Sequence, residues 1–420
     1  MPKRAVSGPE QSGYVPAPLQ PWRATGLSLA VIASAAFNGI GTLCAAIVAA
    51  VVICALVRLH RQAPHSPSTG DLVASTLGAM AGRFTSLIQL VAYAVLGVGA
   101  AAALGLQPLT GVADPATALA SWWWPAWSVT AVVAAAAIVA QVPTRAVGAV
   151  AAVLAGAGLL VYFYLALAVM AKVASGTSPN VYGPAGFPTP LLMVGAVIPL
   201  ALGLAGFEAA TAASGRLSSV GRPLGAAVAV TALGAATLLV ATNISTLRGF
   251  HYDAAYLSLI VVELFGELGR YCLIAGSVCL SAAAALAAMW AAMYVNRRLF
   301  GAGLVPAVLL PAAMCVLAVA VCRFQTATGS VALITAALLL LVVYLLVAEA
   351  NSRIEGDGLA TQAPRVLMVV VLAGAVLIPL RAGDFEAHAL WPVAVTAVVV
   401  AVAALLARVG TQTQRSPLPH

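Results

Sequence analysis

Residues 189–213 read TPLLMVGAVIPLALGLAGFEAATAA. This is an apolar run long enough to cross a bilayer core, which takes ~20 helical residues. It is interrupted near its end by Gly203-Leu204-Ala205-Gly206-Phe207-Glu208. Glu208 is the only carboxylate well inside a long apolar segment of the chain. A carboxylate at membrane depth costs about 2.5 to 3.5 kcal/mol on insertion scales, so it faces a cavity or a partner. Glycine beside it weakens the helix and admits other groups to the backbone. The stretch predicts a membrane helix broken along its length, with the working site at the break.

Comparable apolar segments recur at about 24–57, 78–105, 124–140, 146–171, 223–247, 271–295, 304–322, 328–349, 364–380 and 390–407. The whole chain is 62% hydrophobic and 8% charged, with a mean hydropathy of +1.04 over 420 residues. That balance excludes a soluble domain. Barrel strands would alternate in polarity over ~10 residues, a pattern missing here, so the fold class is an all-α polytopic membrane protein.

Basic residues decide how many helices there are, because cytoplasmic loops are enriched in Lys and Arg. If 24–57 is a hairpin turning near Asn38-Gly39-Ile40-Gly41-Thr42, there are twelve helices, and fifteen of the twenty Lys and Arg fall on the side of the N-terminus. If it is one helix, there are eleven and the division is twelve against eight. Twelve fits better, although each arm of the hairpin is then only ~13 to 17 residues, short of the ~20 needed to span. Residues 1–23 are expected to be a disordered cytoplasmic N-terminus without a cleavable leader, 24–409 a single transmembrane domain and 410–420 a cytoplasmic tail. The Ala- and Val-rich composition suits the plasma membrane of a high-GC bacterium.

Two outer segments carry their own signals. Residues 106–123 run into Trp122-Trp123-Trp124, the aromatic cluster of a membrane interface. Residues 249–269 set Leu257, Ile260, Val261, Leu264 and Leu268 against Asp253, Glu263 and Glu267, the pattern of an amphipathic surface helix. The six cysteines show no metal-ligand spacing and the five histidines are dispersed, so neither a metal site nor a cofactor is expected. An intramembrane enzyme would need paired acids, a Ser/His pair or an acidic metal cluster at membrane depth. None is present in the sequence.

Three segments carry a resemblance. Leu191 to Ala227 holds Gly206-Phe207-Glu208, a basic loop and Pro223; Arg58 to Gly78 holds Pro64, Ser68-Thr69-Gly70 and Leu77-Gly78; Ser281 to Pro306 holds Asn296-Arg297-Arg298-Leu299-Phe300 and Gly303-Leu304-Val305-Pro306. In that order they resemble the sixth helix and its loop, the loop after the second helix, and the end of the eighth helix of the amino acid permeases of the amino acid–polyamine–organocation (APC) superfamily. The chain departs from the family at Ser214-Gly215, where permeases carry paired acids, and in its first helix, where Ala33-Ser34-Ala35-Ala36-Phe37-Asn38-Gly39-Ile40-Gly41 stands nearest the family's glycine-rich pattern.

The resemblance implies two inverted five-helix repeats plus two C-terminal helices, with helices one and six broken. It implies a secondary active transporter of amino acids or related small organic amines, working by alternating access. Substrate would be gripped at the breaks by Ser34, Asn38, Gly39, Gly41, Gly203, Ala205, Gly206, Phe207 and Glu208, with Gln89 and Tyr93 of the third helix facing the same cavity. Half-helix ends supply partial charges for such a grip. The coupling ion is a proton, with Glu208 its carrier, or sodium, with Ser277 and Ser281 as ligands. Glu208 can equally be a structural carboxylate bonded to neighbouring helices. The alternative function is a non-transporting membrane scaffold or sensor on the same fold, because the shortened first hairpin removes part of the site. The only other partner expected is the lipid bilayer.

Overall fold

The computed structural model describes residues 19–64, 66–112, 115–176, 205–245, 257–301, 303–324, 331–355, 359–381 and 391–413. Their elements in chain order are α1 Pro21–Ile32, a 3-10 turn Ala33–Asn38, α2 Ile40–Gln62, α3 Thr69–Leu77, α4 Ala79–Val112, α5 Pro115–Ala120, α6 Trp123–Gln141 and α7 Thr144–Ala174. There follow a 3-10 helix Ala209–Arg216, α8 Gly221–Ser245, α9 Leu257–Phe300, α10 Leu304–Phe324, α11 Val331–Glu355, α12 Leu359–Arg381 and α13 Trp391–Thr413. Among the described residues, nine helices are long and apolar enough to cross a bilayer: α2, α4, α6, α7, α8, α9, α10, α11 and α13.

The first hairpin turns where its sequence predicts. The chain leaves α1 through the 3-10 turn and reverses at Gly39, whose φ of 53° is a conformation that suits glycine. The Thr42 hydroxyl closes the turn on the Ala35 carbonyl. The shortage, however, is not shared between the arms. α2 has 23 residues and spans, whereas α1 has 12, about 18 Å of helix against a core of ~30 Å.

α4 is the central element. In its most apolar window 78% of residues are buried, against 11% in α10 and 17% in α13, which lie at the periphery. α4 packs on α3, α6, α9, α10, α11 and α13. Small residues set the closest approaches, as expected where lipid offers no hydrophobic drive between helices. A Cβ on Gly26 of α1 would sit 2.3 Å from Cβ of Ala152 in α7, and one on Gly158 of α7 would sit 2.7 Å from the Leu280 side chain in α9.

The outer segments divide. Trp122 and Trp123 stay exposed and stacked at 3.9 Å. Trp124 turns inward, and its indole N–H donates to the Ala102 carbonyl at 2.8 Å. In α9, Leu257, Ile260 and Val261 are buried as an amphipathic helix requires. The expected face does not extend to Leu268, which is 71% exposed, because Gly266 (φ 58°) kinks the helix ahead of it. Residues 249–256 lie outside the described chain.

Candidate functional site

The break in the sixth segment is present at Ala205–Glu208, which forms turns rather than helix. Gly206 adopts φ 102°, and a Cβ there would lie 2.5 Å from Cγ1 of Val31 in α1. Leu96 of α4 and Leu340 of α11 lie 3.6 and 3.7 Å from the same point. Only glycine accepts both that conformation and that approach. Beyond it the Glu208 carbonyl accepts both the backbone N–H and the hydroxyl of Thr211, each at 2.7 Å, and a 3-10 helix follows.

Glu208 is 1% exposed. The Tyr93 hydroxyl of α4 donates to its Oε1 at 2.7 Å, and the Tyr344 hydroxyl of α11 donates to Oε2. Tyr344 in turn accepts the Gly206 backbone N–H at 2.8 Å. Its ring lies 5.3 Å from that of Phe207, tilted by 41°. One carboxyl group therefore ties two helices to a broken segment, with both oxygens engaged by phenolic hydroxyls.

One turn before Tyr93, Gln89 is fully buried beside the Tyr93 hydroxyl, and neither its amide nitrogen nor its amide oxygen makes a hydrogen bond of normal geometry. The Ser28 hydroxyl, one turn before Val31 in α1, is likewise buried and unpaired. Burying an unsatisfied amide or hydroxyl costs about 1 to 3 kcal/mol. Orphaned groups of this kind mark a place where a ligand or an ion can supply the missing bonds.

The remaining expected residues are dispersed relative to this cluster. Gly39 and Gly41 are buried at the first break, and the Ser34 side chain is exposed rather than turned into the bundle. It is α1 that approaches the second break, through Val31, and not the first break through Ser34. The Asn38 side chain and the whole of Gly203 lie outside the described residues. The Ser277 hydroxyl is bonded to the Tyr162 hydroxyl of α7. Tyr162 donates its own proton to the Leu273 carbonyl at 2.9 Å, so it takes the Ser277 proton as acceptor. This pair joins α7 to α9 beside Gly276, where a Cβ would sit 2.8 Å from the Tyr162 ring. Ser281 lies one turn further along α9, half-buried.

Tyr344 was not among the expected residues. Its signal was a lone phenol in the apolar run Leu338–Ala348, a position that a membrane helix spends on a polar tip only with a partner in reach.

On the far side of the break the segment is anchored to α3. The Thr69 and Thr211 hydroxyls are 2.7 Å apart, and a Cβ on Gly215 would lie 3.0 Å from Cα of Pro67. Ser68 caps α3 by accepting the Asp71 N–H at 3.3 Å, and Asp71 pairs with Arg298 at the end of α9 at 3.0 Å.

No protein-family model matches the sequence, and no curated protein matches it significantly. Solved structures do match its fold. MhsT in complex with L-phenylalanine aligns over 94% of this chain and 99% of its own, with a TM-score of 0.54 and 14% identity. A mutant of the Eremococcus coleocola manganese transporter aligns over 93% of each chain, with a TM-score of 0.53 and 11% identity. Both are LeuT-fold transporters. At these identities the likeness establishes the fold, and the near-complete coverage of both chains extends it across the whole bundle.

Proposed function

We propose that the protein is a secondary active transporter of the amino acid permease type, carrying an amino acid or a related small organic amine by alternating access. It would sit in a bacterial plasma membrane with both termini cytoplasmic. The observation that carries this reading is the buried Glu208 carboxylate, held by Tyr93 and Tyr344 at the break beside Gly206. A transporter needs an element with two discrete arrangements, and a carboxylate tying two helices to an unwound segment is suited to that role.

The chemistry supports a proton-operated latch. An ionised carboxylate accepts both phenolic hydrogens; a proton on Glu208 replaces one acceptor by a donor. That donor needs a phenol oxygen to accept it, so one tyrosine hydroxyl must re-aim its own hydrogen; Tyr344, which already accepts the Gly206 N–H, is the one more readily displaced. Release of Tyr344 would also free the Gly206 N–H for a substrate carboxylate, while the Gln89 amide offers one acceptor for an ammonium group and donors for a carboxylate. The fold's other transporters supply the class; the cargo here rests on these groups and on the permease-like motifs.

A second reading, a non-transporting scaffold or sensor, is favoured by the short α1 and by Val31, which fills the space against Gly206. Uptake of a mixed pool of labelled amino acids and amines into proteoliposomes separates the two. Gradient-stimulated uptake that Glu208→Gln loses supports the proton-coupled carrier. Uptake that the variant keeps makes Glu208 structural. No uptake of any pool member by folded protein favours the scaffold.

A further inference from the structure

Three helices begin at one level of the molecule and run in the same direction. Gly148 of α7 lies against Arg23 of α1, and Gly26 of α1 lies against Ala152 of α7, so the two helices rise together. Gly234 of α8 lies against both Ala36 and Leu159, which places α8 in the same register. Each helix carries an arginine in its first turn, Arg23, Arg145 and Arg222, and none has an acidic residue there. Among the described residues none of the three arginines makes an ion pair. The Arg23 guanidinium instead stacks over the half-exposed Trp22 ring at 5.0 Å, and its Nε is buried without a partner.

Below this basic tier, α1, α7 and α8 leave a groove of about 360 Å³. Leu29, Gly156, Leu160, Phe163, Val230 and Leu233 are among its lining residues. Its rim opens outward from the bundle, with Leu160 68% and Leu233 66% exposed. Arg145, Gly156 and Phe163 fall on one stripe of α7, and Arg222 and Leu233 on one stripe of α8, by helical spacing. The groove begins roughly 12 to 16 Å along the helices from the arginines and ends roughly 24 to 27 Å along them. A phosphate at the arginine tier stands ~20 Å from the bilayer midplane, so the near part of the groove, around Gly156 and Val230, lies at the depth of the distal part of its acyl chain, and the far end lies beyond the midplane.

We propose that this surface is a seat for an anionic phospholipid, its headgroup phosphate on Arg23, Arg145 and Arg222 and one acyl chain in the groove between α7 and α8. Charge complementarity selects the headgroup, since three cations without an ion pair or a neighbouring first-turn carboxylate among the described residues prefer a net-negative lipid to a zwitterionic one. The missing side chains of Gly156 and Gly234 shape the groove.

Native mass spectrometry of the purified protein, offered equal amounts of phosphatidylglycerol and phosphatidylcholine with identical chains, tests the assignment. Wild type is expected to retain phosphatidylglycerol preferentially. Arg145→Gln with Arg222→Gln should weaken that retention roughly fivefold for each arginine removed. Gly156→Leu should reduce retention of the lipid with all arginines in place; an added Cβ there meets nothing within 4 Å. Gly156→Ala is the milder control. Equal retention of the two lipids by wild type, an undiminished preference in the double arginine variant, or full retention by Gly156→Leu would each overturn the proposal.

Discussion

The Tyr344 hydroxyl accepts the Gly206 backbone N–H at 2.8 Å while donating to the carboxylate of Glu208, two residues further on. One phenol thus satisfies the backbone of the break and one side of the only carboxylate buried in it. The broken segment is held open by its neighbours rather than by its own helix hydrogen bonds.

Tyr344→Phe removes both bonds while keeping the ring against Phe207. The Gly206 N–H and the carboxylate then keep only the weaker backbone contact between them, and each buried bond lost costs about 1 to 3 kcal/mol. Thermal unfolding in detergent should move down by several degrees. An unchanged midpoint would mean that the break rearranges freely around the loss.

Gln89→Leu replaces an unsatisfied amide by an apolar group of similar size. Because the amide makes no hydrogen bond of normal geometry, the folded protein should become more stable, by up to about 1 to 3 kcal/mol, while substrate affinity falls. Stability gained with affinity intact would remove Gln89 from the site.

Gly206→Ala should destabilise for two separate reasons, the φ of 102° and the 2.5 Å approach of Val31. The left-handed conformation alone costs roughly 1 to 2 kcal/mol. Val31→Ala added to Gly206→Ala should therefore restore part of the stability but not all of it. Complete rescue would show that crowding is the whole effect.

Ser277→Ala should leave any sodium stimulation of uptake unchanged, because the Ser277 hydroxyl is engaged by Tyr162 in joining α7 to α9. Tyr162→Phe should cost about 0.5 to 1.5 kcal/mol of stability. Sodium dependence abolished by Ser277→Ala would return that serine to an ion site.

The break at Gly206 was legible because a membrane helix has no other use for a lone carboxylate beside two glycines. The hairpin turn at Gly39 was legible from the distribution of Lys and Arg, since a one-helix reading spoils the charge asymmetry. Gln89 and Tyr93 share a face by their spacing of four, so their approach to one site followed from helix geometry. Which arm of the hairpin is short did not follow. The sequence left both arms at ~13 to 17 residues, whereas in the structure α1, packed against α7 and α8, gives way to the 3-10 turn after Ile32 and α2 takes the full span.

Composition, the ~20-residue apolar period and the position of one buried charge were enough to specify a broken-helix membrane bundle, because bilayer thickness and the cost of an unpaired carboxylate act on each segment separately. The partners of that charge were decided in three dimensions. Tyr344 is 136 positions from Glu208, and Tyr162 is 115 from Ser277. No local spacing links such residues. The tertiary packing of α4, α7, α9 and α11 brings them together, and so gives Glu208 two phenols and withdraws the free hydroxyl from Ser277.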